Sequence, residues 1–127
     1  MSALRRFVLV VDDEAIIADL WRHHLEAIDV EVCGIAYTAK TAIDLAQAQR
    51  PALVLMDVRL RGGGDGVDAA NEIQQSVGSK IIFVTGSREP ETVARMQAAC
   101  PAAILFKPVL NRQLDAAVLD ALREIDE

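Results

Sequence analysis

Aromatic residues are scarce in this sequence: three Phe, one Tyr and one Trp among 127 residues, 4% of the chain. A core must therefore be built from Val, Ile, Leu and Ala, and a hydrophobic fraction of 52% supplies them. Basic residues are outnumbered, 13 against 19 acidic, for a formal net charge of -6. That balance argues against nucleic acid as a direct partner, because such binding rests on basic patches. No basic amphipathic segment suits a membrane surface, and no apolar run approaches the roughly 20 residues of a membrane span. The opening Met1-Ser2-Ala3-Leu4-Arg5-Arg6 leads directly into a strand-like run, which does not suit a signal peptide. Only two cysteines occur, Cys33 and Cys100, far apart and each in or beside an apolar run. They read as reduced, structural thiols in a cytoplasmic protein.

A chain of 127 residues fits one domain with a real core. Short β-rich runs alternate with longer stretches of helical spacing, the signature of βαβ units and a parallel sheet. Strands are expected at about residues 5–11, 30–36, 52–57, 80–85 and 102–106. Helix one, about 14–28, carries Ile16, Ile17, Leu20, His24 and Ile28 at helical spacing. Helix two begins after Thr38, a good N-cap, with Ala42, Leu45 and Ala46 inward. Helix three follows Gly66, with Val67, Ala70 and Ile73 on one stripe. Helix four starts at Pro90, favoured in a first turn, and runs to about Ala99. Helix five presents Leu110, Leu114, Val118, Leu122 and Ile125. Right-handed crossovers and helices on both faces leave few topologies. The best fit is α/β, a doubly wound, flavodoxin-like five-stranded parallel sheet of order 2-1-3-4-5. The expectation is a single domain over 1–127, with no output domain encoded in the chain.

The chemistry collects where these strands end. The first runs into Asp12-Asp13-Glu14, the third into Asp57, the fourth into Thr85-Gly86 and the fifth into Lys107-Pro108. In the order 2-1-3-4-5, strands one and three are neighbours at the topological switch point, where open α/β sheets form ligand crevices. Three carboxylates held close repel one another, and a divalent cation relieves that repulsion. Hard oxygen ligands suit Mg²⁺, which also shares phosphate oxygens. A carboxylate can act as a nucleophile and form an aspartyl-phosphate. Asp57 is the better nucleophile because it ends the central strand alone, while Asp12 and Asp13 form a pair suited to the metal. Lys107 offers a point charge, and Thr85 a hydroxyl, to a phosphoryl oxygen. Singly, each residue has a structural explanation: a helix cap, a turn or a solvated lysine. Their conjunction at four strand ends is the signal.

These residues resemble those of bacterial two-component response-regulator receiver domains, over essentially the whole chain. The resemblance implies that Asp12, Asp13 and Asp57 bind Mg²⁺, with the backbone carbonyl of Arg59 as a further ligand. It implies that Asp57 accepts a phosphoryl group from a histidine kinase or phosphotransfer protein, and that Thr85 and Lys107 contact that group. Self-phosphorylation and autodephosphorylation, signalling to a downstream protein and dimerisation through helix four, strand five and helix five belong to the same expectation. So does a cis Lys107-Pro108 bond. The sequence also departs from the family. Ile104 stands where receivers usually carry a Tyr or Phe switch, and Arg61 where many have Pro, followed by Gly62-Gly63-Gly64. Ile82-Phe83-Val84-Thr85-Gly86-Ser87 resembles a receiver subgroup with a Phe-Ala-Thr-Gly motif and no switch aromatic. Phe106 reads as a core residue that does not replace the switch, and Arg59 and Ser87 as flanking residues that tune water access.

Other classes fit less well. A phosphatase of the haloacid dehalogenase type wants a second Asp where Arg59 stands. A flavodoxin-like cofactor binder wants a phosphate loop where Asp12-Asp13-Glu14 would repel it. A non-phosphorylated pseudo-receiver acting as a binding module is the remaining alternative. His23 and His24 fall within helix one, with His24 partly inward and His23 facing solvent, which suits packing better than phosphotransfer.

Overall fold

The computed structural model describes residues 4–62 and 64–126, the last of these by its backbone alone. Met1–Ala3, where the leader reading rests, and Gly63 of the glycine run lie outside the described residues. Strands and helices alternate: β1 Arg5–Val11, α1 Ala15–Ala27, β2 Val32–Ala36, α2 Ala39–Gln49, β3 Pro51–Met56, α3 Gly66–Ser76, β4 Lys80–Thr85, α4 Pro90–Ala98, β5 Ala103–Phe106 and α5 Asn111–Asp126. All strand pairings are parallel, in the order β2-β1-β3-β4-β5. This is the doubly wound order expected from the alternation of short apolar runs and helical stripes.

Alternate strand residues feed two separate cores. Leu9, Val54, Met56 and Phe83 face the layer that includes Ala42 and Ala46 of α2, Ala70 and Ile73 of α3 and Met96 of α4. Val8, Val10, Leu53, Leu55 and Ile82 face Ala18 and Leu25 of α1 and Leu114, Val118 and Leu122 of α5. β3 is buried along its entire length, as a strand covered on both sides must be. Each fully buried Leu or Ile contributes about 1.5–3 kcal/mol, so two aliphatic cores suffice with few rings.

Three local readings need correction. α1 does not bury the Ile16–Leu20 stripe: Ile16 is 76% and Leu20 58% exposed, while Ala18 and Leu25 face the sheet. Helical spacing marks a face without saying which of two apolar faces docks, and the smaller Ala18 allows closer approach. Helix three begins at Gly66 itself, because the Asp65 side chain accepts from the Val67 and Asp68 amides and caps it. Leu110 lies before α5 and is exposed. The α2 cap is as read: Thr38 and Thr41 form a reciprocal capping box.

The cysteines behave differently from each other. Both are free. Cys33 is half-buried in β2, and burial pushes its thiol up to about 11. Cys100 is exposed, at a left-handed turn with φ 52°, and is not part of the core. Among the described residues no helix is long and apolar enough to cross a membrane.

Candidate functional site

The carboxyl edge of the sheet receives Asp12 and Asp13 after β1, Asp57 after β3, Thr85 at the end of β4 and Lys107 after β5. Backbone hydrogen bonds carry the ladders one step past the strand ends. The Asp12 N–H donates to the Ala36 carbonyl (3.1 Å), the Asp57 N–H to Val11 (3.0 Å) and the Lys107 N–H to Thr85 (2.8 Å). The sheet therefore aims these side chains before any of them touch, the kind of rigid support a precise site needs. The Lys107-Pro108 peptide is cis, as the resemblance implied.

Lys107 ties the cluster together. Its Nζ donates to Asp12 Oδ2 at 3.0 Å and to Asp57 Oδ2 at 3.2 Å. The other oxygens are also engaged: Asp12 Oδ1 accepts from the Glu14 N–H at 2.9 Å and Asp57 Oδ1 from the Val58 N–H at 2.7 Å. Asp12 is 2% and Asp57 8% exposed. Neither Asp12 nor Asp13 serves as the cap of α1; Glu14 occupies that position, and its side chain makes no capping bond. Burial pushes the Asp57 carboxyl up, Lys107 pulls it down and Asp12 pushes it up again, leaving it above its ordinary value. Burial works against the charge on Lys107, but its two carboxylate partners outweigh it and hold the ammonium above the usual lysine range.

One carboxylate oxygen from each of Asp12, Asp13 and Asp57 lies within 4.8 Å of the others. An oxygen-only set with three negative charges is the donor chemistry that Mg²⁺ takes. The residues thus fit the ion that the resemblance implies. Above them opens a pocket of about 430 Å³, lined by Asp13, Asp57, Thr85 and Lys107 and also by Arg59 and Glu89. Thr85 is buried, and its Oγ1 accepts from the Ser87 N–H at 3.1 Å. Its own hydroxyl proton is left for an oxygen in the pocket. The buried Ser87 Oγ has no hydrogen-bond partner among the described residues.

Such a metal-ready acidic cluster, at the switch point of a 2-1-3-4-5 sheet, can be compared with known proteins. The response regulator receiver domain model matches residues 8–119. The chain belongs to this family. The receiver is 30% identical over 116 residues to the phyllosphere-induced regulator PhyR of Methylorubrum extorquens, covering 91% of this chain and 43% of PhyR. It is 35% identical over 117 residues to the transcriptional regulatory protein PdtaR of Mycobacterium tuberculosis, covering 92% of this chain and 57% of PdtaR. The receiver thus spans about half the length of the curated relatives it matches. A CheY-like receiver from Methanospirillum hungatei superposes with a TM-score of 0.87 at 29% identity, over 98% of both chains.

Several residues that shape the receiver's site were not singled out from sequence. Gly66 packs its backbone against the peptide after Asp57: a Cβ there would lie 1.9 Å from the Asp57 carbonyl oxygen and 2.8 Å from Val58 Cα. No larger residue fits without moving the end of β3 that carries Asp57. Asp65 and Asp68 hold Arg95 of α4 at 2.7 and 3.0 Å. Glu89, just before α4, accepts from the Arg59 guanidinium at 2.6 Å. Arg88 lies 4.5 Å from the centre of the Phe106 ring. Phe106 is half-buried, covered by a cation on one side and packed on the core on the other, so it is not a simple core residue. Ile104 packs into the same layer as Met96 of α4. His24 Nε2 meets Asp115 of α5 at 2.6 Å, and His23 is exposed.

Proposed function

We propose that this receiver accepts a phosphoryl group on Asp57, from a histidine kinase or a histidine phosphotransfer protein, in a Mg²⁺-dependent reaction in the cytoplasm. The observation that supports it most is the shared Lys107 bridge, a single ammonium spanning Asp12 and Asp57 at the base of an open pocket. A structural ion pair has no need of a second buried carboxylate or of a mouth to solvent.

An Asp57 carboxylate oxygen attacks phosphorus in line, the new P–O bond forming as the P–N bond to imidazole breaks and nitrogen keeps the electron pair. Lys107 offsets charge on the transferring group and pulls the Asp57 carboxyl down against the larger upward effect of burial. Thr85 donates its hydroxyl to a phosphoryl oxygen. Asp12, Asp13, Asp57 and the Arg59 carbonyl would hold Mg²⁺, which when bound supplies positive charge to the phosphoryl oxygens. The same geometry admits small phosphodonors and water, hence self-phosphorylation and autodephosphorylation.

Phosphotransfer requires a partner at the edge where the pocket opens. Ile16, Leu20 and Leu110 are exposed, beside a groove of about 490 Å³ lined by Ile17, Leu20, Trp21 and Val109. An apolar helix face of a kinase or phosphotransfer protein suits it. Output then passes to a downstream protein or a second receiver through α4, β5 and α5. With Ile104 on β5, that face changes by repacking, since no ring is there to swing.

The test loads native protein and Asp57→Asn with acetyl phosphate or beryllofluoride, each with Mg²⁺, and follows intact mass and amide NMR shifts. The expected result is one phosphoryl per native chain and none on the variant. A response equal in both proteins, or absent from both, would leave the non-phosphorylated binding module as the reading.

A further inference from the structure

Two cations besides Lys107 line the pocket, Arg59 and Arg88. Lys107 is already committed to Asp12 and Asp57. Arg88 is stacked on Phe106. Arg59 is held by one carboxylate, Glu89, with both side chains largely in solvent, 73% and 64% exposed. An exposed pair of this kind is weak despite its 2.6 Å contact, because water screens it and two long side chains must be ordered to make it. A dianion placed on Asp57 would offer Arg59 a better partner two residues away along the chain. Guanidinium and phosphoryl oxygens match as a fork, with charge-assisted hydrogen bonds stronger than neutral ones.

The other half of the pair matters equally. Glu89 occupies the cap position of α4, with φ -61° and ψ 131°, yet its side chain makes no capping bond. Its carboxylate is turned to Arg59 instead. At its far end α4 is held by a separate strap, Arg95 to Asp65 and Asp68. Arg59 after β3, and Asp65 and Asp68 at the start of α3, thus grip α4 at both ends, and only the Arg59 grip belongs to a residue of the pocket.

We propose that Arg59 is a movable phosphoryl clamp: Glu89 holds it while Asp57 is bare, and the phosphoryl oxygens take it once Asp57 is modified, releasing the first turn of α4. The exchange rests on the reading of Asp57 as phosphoacceptor. It provides the receiver with an output route that needs no aromatic at position 104. The start of α4 is freed while its end stays strapped through Arg95, so the helix pivots.

Beryllofluoride with Mg²⁺ tests this on the whole chain without chemistry. The readouts are its apparent affinity and amide hydrogen exchange at Val93, whose N–H donates to the Glu89 carbonyl, and at Ala94. In native protein, loading should speed exchange there. Glu89→Gln, an isosteric surface change, should show fast exchange before loading and bind beryllofluoride about two- to fivefold tighter, since no pair must first be broken. Arg59→Ala should also exchange fast before loading, but bind several-fold weaker. Arg59→Lys should recover only part of that affinity, because a point charge lacks the fork. If both single variants bind beryllofluoride as native protein does and α4 still responds to loading, the clamp is overturned and Asp57 stands. If native protein and Asp57→Asn both fail to respond, the phosphoacceptor reading falls and takes the clamp with it.

Discussion

The pocket has a wall and a rim, and the same kind of ion pair behaves differently on each. At the wall, Lys107 meets Asp12 and Asp57 at 3.0 and 3.2 Å, with both carboxylates buried. At the rim, Arg59 meets Glu89 at 2.6 Å, with both groups exposed. The shorter contact is the weaker one. Water screens the rim charges, whereas the wall charges interact through a less polarisable medium and have nowhere else to go. The proposed phosphoacceptor site, which must hold Asp57 in one geometry yet respond when one group is added, would use both kinds: on that proposal the wall positions and the rim moves.

The change with the largest expected effect breaks the wall from behind. Gly66→Ala puts a Cβ into the Asp57 carbonyl and should destabilise the fold by about 2–3 kcal/mol, as overpacking does, read from urea unfolding. Beryllofluoride binding should fall with it, since the strand end that carries Asp57 has to shift. Asp65→Ala comes next. It removes the cap of α3 and one arm of the α4 strap, for about 1–2 kcal/mol at neutral pH. Burial works against the Asp65 carboxylate, but Arg95 and the α3 amides outweigh it and hold its carboxyl below the ordinary value. That stability is present above the unfolded carboxyl range and is lost as pH falls through the lower folded value. Melts of native and variant protein should therefore converge in acid.

Asp57→Asn sharpens the comparison in the opposite direction. The folded state raises the Asp57 carboxyl, so it favours the protonated form, and native stability falls as pH rises through the folded value. Removing that charge should stabilise the protein by about 1 kcal/mol at pH 7 while abolishing phosphorylation, a trade seen where function needs strained charge. The gain should shrink as pH drops and the native carboxyl takes up its proton. Glu89→Gln should have the smallest effect on stability, under about 0.5 kcal/mol and less in high salt. A loss above about 1 kcal/mol would show the rim to be part of the wall.

The wall was legible in the sequence because strand ends in an open α/β sheet are places, and the order of the strands says which places adjoin. Asp12, Asp13, Asp57, Thr85 and Lys107 each follow or end an apolar run, and the structure brings them to one edge. The rim was not legible in the same way. The side chains of Arg59 and Ser87 stood out only as flanking groups, Arg59 otherwise for its backbone carbonyl, and nothing in the spacing of Arg59 and Glu89, thirty residues apart in separate loops, links them. α1 shows the limit of periodicity from another side. Ile16 and Leu20 repeat at helical spacing and point to solvent, because the sheet selected the face with Ala18 and Leu25.

The alternation of short apolar runs with helical stripes was enough to determine the doubly wound sheet, since burying both kinds of face leaves few right-handed solutions. It determined in turn which side chains share the carboxyl edge. Tertiary structure alone decided the finer matters: that Lys107 bridges both carboxylates, that Gly66 must lack a side chain, and that Glu89 turns its charge to Arg59 instead of capping its own helix. Those depend on distances of a few tenths of an ångström between segments far apart in the chain. A hydrophobic pattern specifies which face is buried, and the packing of the whole domain sets where each charged group comes to rest.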